Sequence, residues 1–424
     1  MSAAQAPFAF GTELCRPAYQ GSATPRVSSG LRYPEAVLAH CQRDMPSSRI
    51  FVICSKSLAT KTDALQRLQK ILGHRIAGVR VGISSHTPLA EVVETVDESR
   101  DLDIDCIVTL GAGSITDAAK IVRLALANSV STLDGLDTLW GTAESNSRLR
   151  RDMAKPAIPL IHIPTSLSGG EYQAIAGGTE AHGHAKRTFF CCGANPDLVI
   201  QDPELCLTTP AWVWLSTGIR SVDHCVETLC SLLSNDEGDE RARVALPKLV
   251  SGLLRCASEP DSLDARHLCQ QGVVDAMAAV SSGVPLGASH AIGHQLGPLG
   301  VGHGETSCIL LPAVCKYNLA RNANVERQTA VRDLLLRQEE VQRLVGQRGS
   351  SGEVPDLGDV LDAIISALGM PRYLEDVGIE RHQFAALARN SLEDIWIRTN
   401  AVCITEEAQV VEILNLCSRG EKRA

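Results

Sequence analysis

Three of the chain's twelve histidines fall within one short stretch, SHAIGHQLGPLGVGHGET. His290 and His294 are four residues apart and therefore share one face of any helix drawn through them. His303 follows a glycine-rich turn able to fold it back toward the other two. A fourth, His224, lies upstream in a helical pattern, TGIRSVDHCVE. Imidazoles gathered in one place suit metal ligation or proton transfer. A single helical histidine more often packs or faces solvent, but four beside glycine-rich turns point to a site.

Two other segments have the chemistry of an anion cradle. CIVTLGAGSITDAAK sets Gly111, Gly113 and Ser114 between a strand and a helix, with Asp117 and Lys120 on the first turns of that helix. Glycines permit a tight turn and close backbone approach, and a helix start offers unpaired N–H groups and a positive dipole end. This is not the GxGxxG fingerprint, because Thr116 stands where its third glycine falls. The second segment, IHIPTSLSGGE, carries Thr165, Ser166 and Ser168, whose hydroxyls are able to donate to phosphate or ribose, followed by Gly169–Gly170. Taken alone, either segment also reads as an ordinary turn with capping hydroxyls.

The elements that must hold these residues follow from hydrophobic periodicity. Strands are expected at 49–54 (RIFVIC), 76–81, 104–110 and 159–163, with helices at 62–72, 89–99 and 115–126 between them. Alternating strands and helices argue for a parallel sheet covered on both faces. After about residue 206 the spacing turns helical, at 210–233, 242–256, 265–280, 286–296, 329–344 and 360–368, and residues 350–355 read as a polar loop. The expected architecture is an α/β nucleotide-binding domain over 1–205 and an all-α domain over 206–424, with the active site in the cleft between them.

Composition is that of a globular chain, 44% hydrophobic and 21% charged over 424 residues. A net charge of −9 gives no electrostatic footprint for nucleic acid or an anionic membrane. No apolar run approaches the roughly 18 residues of a membrane helix, and the N-terminus lacks the pattern of a signal peptide. The fifteen scattered cysteines, with Cys191 and Cys192 adjacent, show no paired zinc spacing and read as buried thiols of a cytoplasmic protein.

Together these segments resemble the iron-containing alcohol dehydrogenase superfamily, which also contains the maleylacetate reductases and sits beside dehydroquinate synthase. The family's phosphate motif, approximately GGGSxxDxAK, matches 111–120 with Ala112 in place of the middle glycine. The hydroxyl loop matches 164–171, the metal-site helix 217–227 and the HxxxH…HG segment 290–304. The resemblance implies a dehydroquinate synthase-like fold, an NAD or NADP cofactor, a small-molecule substrate and a homodimer. It implies cofactor contacts at Gly111, Gly113, Ser114, Asp117, Thr165, Ser166 and Lys186. Ser55 follows the RIFVIC strand where NAD-preferring relatives carry an aspartate, which leaves NADP open.

The departures carry the most information. Metal-binding relatives use one aspartate and three histidines; the histidines map to His224, His290 and His303, but the aspartate position is Arg220. A guanidinium there repels a cation, by several kcal/mol at about 4 Å and intermediate dielectric, and one anionic ligand is lost, so Fe or Zn is disfavoured. Asp223 reads as facing elsewhere on that helix. The seven-step loop 164–171 and the sequence HGET at 303–306 resemble the maleylacetate reductase branch, and the whole chain resembles fungal secondary-metabolite members of the fumonisin-cluster type. The implied chemistry is hydride transfer to an activated C=C or C=O of a carboxylated substrate. In it Arg220 pairs with the carboxylate, His294 handles the proton, and His224, His290 and His303 shape the pocket. Three other readings stand beside it: Arg220 as a salt bridge to Glu227 or Asp223, a metal-dependent alcohol dehydrogenase, and a non-catalytic NAD(P)-binding protein.

Overall fold

Near-continuous apolar runs such as IFVIC and CIVTL, buried at every position, suit strands covered on both faces, and they form the middle of a parallel sheet. The computed structural model describes residues 7–140, 153–180, 186–348 and 354–419. It divides into two units, Met1–Thr209 and Pro210–Ala424.

The first unit is α/β. Its strands are β1 (Leu14–Pro17), β2 (Arg26–Ser29), β3 (Ile50–Cys54), β4 (Ile76–Val81), β5 (Cys106–Leu110), β6 (Leu160–Ile163), β7 (Ala176–Thr179), β8 (Lys186–Phe189) and β9 (Leu198–Gln201). Seven of them form one sheet in the order β1-β2-β9-β6-β5-β3-β4, parallel except for the β1–β2 pair, and β7–β8 is a separate antiparallel ribbon. Alternate side chains separate two cores: Val52, Val108 and Ile161 pack with helices Tyr33–Arg43 and Ala64–Leu72, and Phe51 and Ile107 with helices Leu89–Arg100 and Ser114–Ala127. Cys54 pairs with Leu110, and Leu110 with Ile163, so β3, β5 and β6 end level with one another. From that edge depart Ser55, Gly111 and the hydroxyl loop.

The second unit is helical. Its helices include Ala211–Cys230, Asp236–Ser258, Leu263–Ser281, Ala288–Leu296 and His303–Ala320. Asn235 starts the second of these, its side-chain oxygen accepting from Gly238 N, with Asp236, Glu237 and Asp239 in the first turn. The single helix expected over 329–344 is instead two, Val325–Leu336 and Glu339–Arg348. The His303–Ala320 helix has no counterpart in the periodicity, because it is buried nearly all round and contains Pro312, which reads as a breaker. Residues 350–353 of the loop expected over 350–355, and residues 1–6 of the N-terminal segment, lie outside the described residues. Of the cysteines whose side chains are described, all are free thiols and all but Cys15 and Cys403 are buried. Among the described residues no helix is long and apolar enough to cross a membrane.

Candidate active site

In the α/β unit the turn after β5 has Gly111 at φ +140° and Gly113 at φ +61°. A Cβ on Gly111 falls 2.9 Å from the Cβ of Ser55, so the two loop starts touch through a glycine. Ser55 caps the Lys56–Lys61 helix by accepting from Leu58 N at 3.4 Å. Ser114 opens the Ser114–Ala127 helix, with Gly113 at its cap. Thr165 and Ser166 are each only 9% exposed, and the Ser166 and Ser168 hydroxyls lie 3.1 Å apart. Backbone turn, helix start and hydroxyls meet at the level sheet edge, an arrangement suited to a pyrophosphate.

Asp117 has a different position from a simple ligand contact. Its carboxylate pairs with Lys120 Nζ at 3.0 Å and accepts from Gly177 N at 3.2 Å. Lys120 is 1% exposed, and its ammonium donates to the carbonyls of Gly170, at 2.9 Å, and Ile175. The pair braces the phosphate helix to the hydroxyl loop and the β7–β8 ribbon. Lys186 is an exposed residue opposite Thr179 on that ribbon, its stem beside Gly177, where an added Cβ meets Lys186 Cε at 2.8 Å.

Glu171 ends the hydroxyl loop, fully buried, with Oε2 lacking a hydrogen-bond partner. Burial pushes its carboxyl up to about 7, against the pull of the Lys120 charge. A carboxyl raised on folding contributes stability that is complete below the unfolded value near 4.5 and lost as pH rises through 7. The loss is on the order of 3 kcal/mol above neutrality. Glu171→Gln is therefore expected to raise the melting temperature at pH 8 and leave it little changed at pH 5, measured by thermal denaturation across that range.

In the helical unit, residues 220, 223, 224 and 227 stand at i, i+3, i+4 and i+7 of the Ala211–Cys230 helix and share one face. Asp223 therefore does not face elsewhere. A step of three residues keeps a side chain on the same helix face, and its Oδ2 accepts from Ser289 Oγ at 2.8 Å and Ser307 Oγ at 2.6 Å. Arg220 donates to Ser307 Oγ at 3.3 Å. Among the described residues it has no ion pair within 4.0 Å, so the salt bridge to Asp223 or Glu227 gives way to a link through Ser307. Glu227 accepts from Gly287 N and Ser289 N, each at 2.9 Å, and faces His290 Nδ1 at 2.7 Å. The His224 and His290 rings stack with centroids 4.8 Å apart, and neither His224 Nδ1 nor His290 Nε2 has a hydrogen-bond partner. His303 starts its helix and meets His294 edge-on at 6.3 Å.

Charge in this cluster is set by burial. It lowers the Arg220 guanidinium, opposed first by Asp223 and then by Glu227 and Asp394. Burial also raises Asp223 to about 6, and raises Glu227 well above the usual carboxylate range with help from Asp223. It pushes His224 down to about 3 and His290 well below the ordinary imidazole range, both aided by the Arg220 charge. The imidazoles are thus neutral beside a guanidinium, and the same burial disfavours the ionised form of both carboxyls, so the Arg220 charge is the one feature that favours an incoming anion. The neighbouring His294 is more open and has an orienting partner, Asp394, whose Oδ2 lies 2.8 Å from Nδ1; Trp396 packs against its ring at 5.2 Å.

Models of the iron-containing alcohol dehydrogenase family match residues 29–203, and of its C-terminal region 214–417. The chain belongs to this family. It is 38% identical over 412 residues to the dehydrogenase FUM7 of Gibberella moniliformis, covering 93% of this chain and 96% of that one. It is also 38% identical over 387 residues to the dehydrogenase ALT3 of Alternaria alternata, covering 87% and 98%. Maleylacetate reductases are among its relatives. The crystal structure of maleylacetate reductase from Rhizobium sp. strain MTP-10005 shares the fold, with a TM-score of 0.69 at 23% identity over 98% of this chain and 99% of that one. As a member of the iron-containing alcohol dehydrogenase family, the chain is an oxidoreductase.

Within that family frame the helical unit holds one grouping with metal-ligand chemistry, Asp223, Glu227 and His290, their ligand atoms within 4.8 Å of one another among the described residues. It differs from the His224, His290 and His303 set that the family motif singles out. Asp394, Trp396, Ser289 and Ser307 were not legible as site residues. Only the approach of Asp394 to His294 across a hundred positions reveals that pair.

Proposed function

We propose that this chain uses NAD(P)H to add hydride to an activated C=C or C=O of a carboxylate-bearing substrate, and does so without a conventional iron or zinc site. The observation that carries the reading is Arg220. It is a buried guanidinium whose hydrogen bond to Ser307 leaves most of its donors uncommitted, and none of its nitrogens is both sealed from solvent and unpartnered. A planar fork in such surroundings matches a carboxylate bidentately.

The residues suit the cofactor. Gly111, Gly113, Ser114, Thr165, Ser166 and Ser168 would hold its phosphates and ribose, with Ser55 and Lys186 at the rim. When bound, it supplies the hydride. Arg220 anchors the substrate carboxylate and offsets the enolate-like charge that grows as hydride arrives. His294, oriented by Asp394, gives the proton to the neighbouring carbon or oxygen. His224, His290 and His303 shape the pocket.

The donor set argues against a divalent cation. The buried Arg220 brings a like charge to the cluster, and Asp223 Oδ2 and both Glu227 oxygens already accept from Ser289, Ser307 and the N–H groups of Gly287 and Ser289, which leaves Asp223 Oδ1 as the one open carboxylate oxygen. Likeness to maleylacetate reductases, whose named substrate carries carboxylates, supports an acidic substrate, and likeness to the fungal dehydrogenases supports a role in secondary metabolism, of mycotoxin or polyketide type. A metal-dependent alcohol dehydrogenase draws instead on the unpartnered His224 Nδ1 and His290 Nε2. The two readings part on one experiment: NAD(P)H oxidation after exhaustive chelation, assayed against enoic and keto acids and against simple aldehydes. Activity on the acids that survives chelation is expected; activity restricted to aldehydes and abolished by chelation would replace this reading with the metal-dependent one.

Asp394→Asn keeps the shape of the side chain but not the charge that holds the His294 ring. It is expected to lower kcat about tenfold or more, with KM for NAD(P)H little changed, in steady-state kinetics. An equal loss in the binding of both substrates would mean that Asp394 only maintains the fold.

A further inference from the structure

A second group of ligand-type side chains lies in the α/β unit. Glu13 and Cys15 are two residues apart beside and on β1, and so project to the same side of the strand. His40 and Asp44 are four apart, at the end of the Tyr33–Arg43 helix and at its cap. The strand face and the helix face meet. Ligand atoms of Glu13, Cys15 and His40 all lie within 4.8 Å of one another. His40 is 0% exposed, and each ring nitrogen faces a carboxylate: Nε2 lies 2.6 Å from Glu13 Oε1, and Nδ1 lies 2.5 Å from Asp44 Oδ2. Glu13 is itself aimed by Ser28, whose hydroxyl donates to Oε1 at 2.7 Å, and by Arg43, which donates to Oε2 at 3.2 Å.

We propose that Glu13, Cys15 and His40 form a site for a zinc-type divalent cation, with Asp44 as the residue that orients His40. The donors are one nitrogen, one sulfur and one oxygen, the mixed set that a borderline-soft ion takes in tetrahedral geometry, with water completing the fourth position. A carboxylate on the far nitrogen of a ligating imidazole fixes its tautomer and direction, and Asp44 stands there. Glu13 and Cys15 are partly exposed, which gives the ion a way in. The ion takes the place of the proton between His40 Nε2 and Glu13 and of the Cys15 thiol proton, so two protons leave as two positive charges arrive. The cluster's net charge is unchanged, and the nearby Arg43 and Arg26 meet no added repulsion. Bound there, the cation ties the edge strand β1 to the helix that packs on the sheet. Nothing in this site depends on the helical unit's chemistry.

The test is metal binding by the full chain, chelated under reducing conditions and then titrated with Zn²⁺ or Co²⁺ alone. A single ion per chain is expected at this site, with a thiolate-to-cobalt charge-transfer band. Cys15→Ser, at a partly exposed position that tolerates the change, is expected to abolish the band. Asp44→Asn is expected to weaken Zn²⁺ about tenfold or more. His290→Asn, checked for fold by circular dichroism, is expected to change neither. Absence of the band in the wild type, its persistence in Cys15→Ser, or loss of the ion in His290→Asn would overturn the assignment.

Discussion

Replacing Arg220 by methionine is expected to lower kcat/KM on a carboxylated enoate or keto acid by about 10²- to 10³-fold, the range set by removing one partner of a desolvated charge pair. Methionine fills much of the volume and has no charge to bury, so the fold should survive, and far-UV circular dichroism checks that it does. Arg220→Lys retains the charge but loses the fork, and an intermediate rate is expected. The division of the effect is informative. A rise in KM alone means that the carboxylate is held equally in ground and transition states, whereas a fall in kcat means that the guanidinium meets charge that develops during reaction. Arg220→Asp restores the anion to a helix face that already carries Asp223, His224 and Glu227. It is expected to gain Zn²⁺ or Fe²⁺ affinity, read by metal analysis, while activity on the acids falls. Wild-type rates on the acids in Arg220→Met would remove the guanidinium as their anchor.

Much of this site is legible in the chain because its signals are local. The i, i+4 spacing of His290 and His294, the glycines at 111 and 113 and the strand that feeds them all lie within a few residues of one another. The parallel sheet is legible for the same reason where a strand is a five-residue, mostly apolar run, as in β3 and β5, and where β-branched residues recur, as in β4. The four-residue strands β1 and β2 carry no apolar run, RVSS being polar at three of its four positions, and β9 is a short apolar run that periodicity alone does not separate from a buried helix segment. What the chain hides is tertiary. Ser289 and Ser307 look like any hydroxyl until both are found on the Asp223 carboxylate. Asp394 lies in a short stretch between helices and becomes a partner of His294 only when the C-terminal segment folds back. Asp223 reads from the sequence as facing away, yet a step of three residues along a helix keeps it beside Arg220 and His224.

The largest structural effect is expected from one methyl group, in Gly304→Ala. A Cβ at this position lies 2.5 Å from Ser216 C, 2.7 Å from Ser216 O and 2.7 Å from Thr217 N. All three are backbone atoms of the Ala211–Cys230 helix, so no side-chain rotation relieves the contact, and the two helices must separate. Overpacking of this kind costs about 1–3 kcal/mol, or a fall in melting temperature of about 2–4 °C per kcal/mol if the unit unfolds as one step. Activity should fall further than stability. Ser307 is one turn along the same helix, and its hydroxyl bridges Arg220 at 3.3 Å and Asp223 at 2.6 Å. Parting the helices stretches both links and moves His303 with them, so the guanidinium loses the partner that sets its direction. Gly346→Ala is the control: nothing lies within 4 Å of its added Cβ, and a helical alanine there should stabilise by about 0.5–1 kcal/mol. Thermal denaturation and kcat/KM measured on both variants separate the effects. A Gly304→Ala protein with unchanged melting temperature and unchanged activity would show that these helices do not approach as closely as their glycine contact requires, and would remove the packing basis for Arg220's placement.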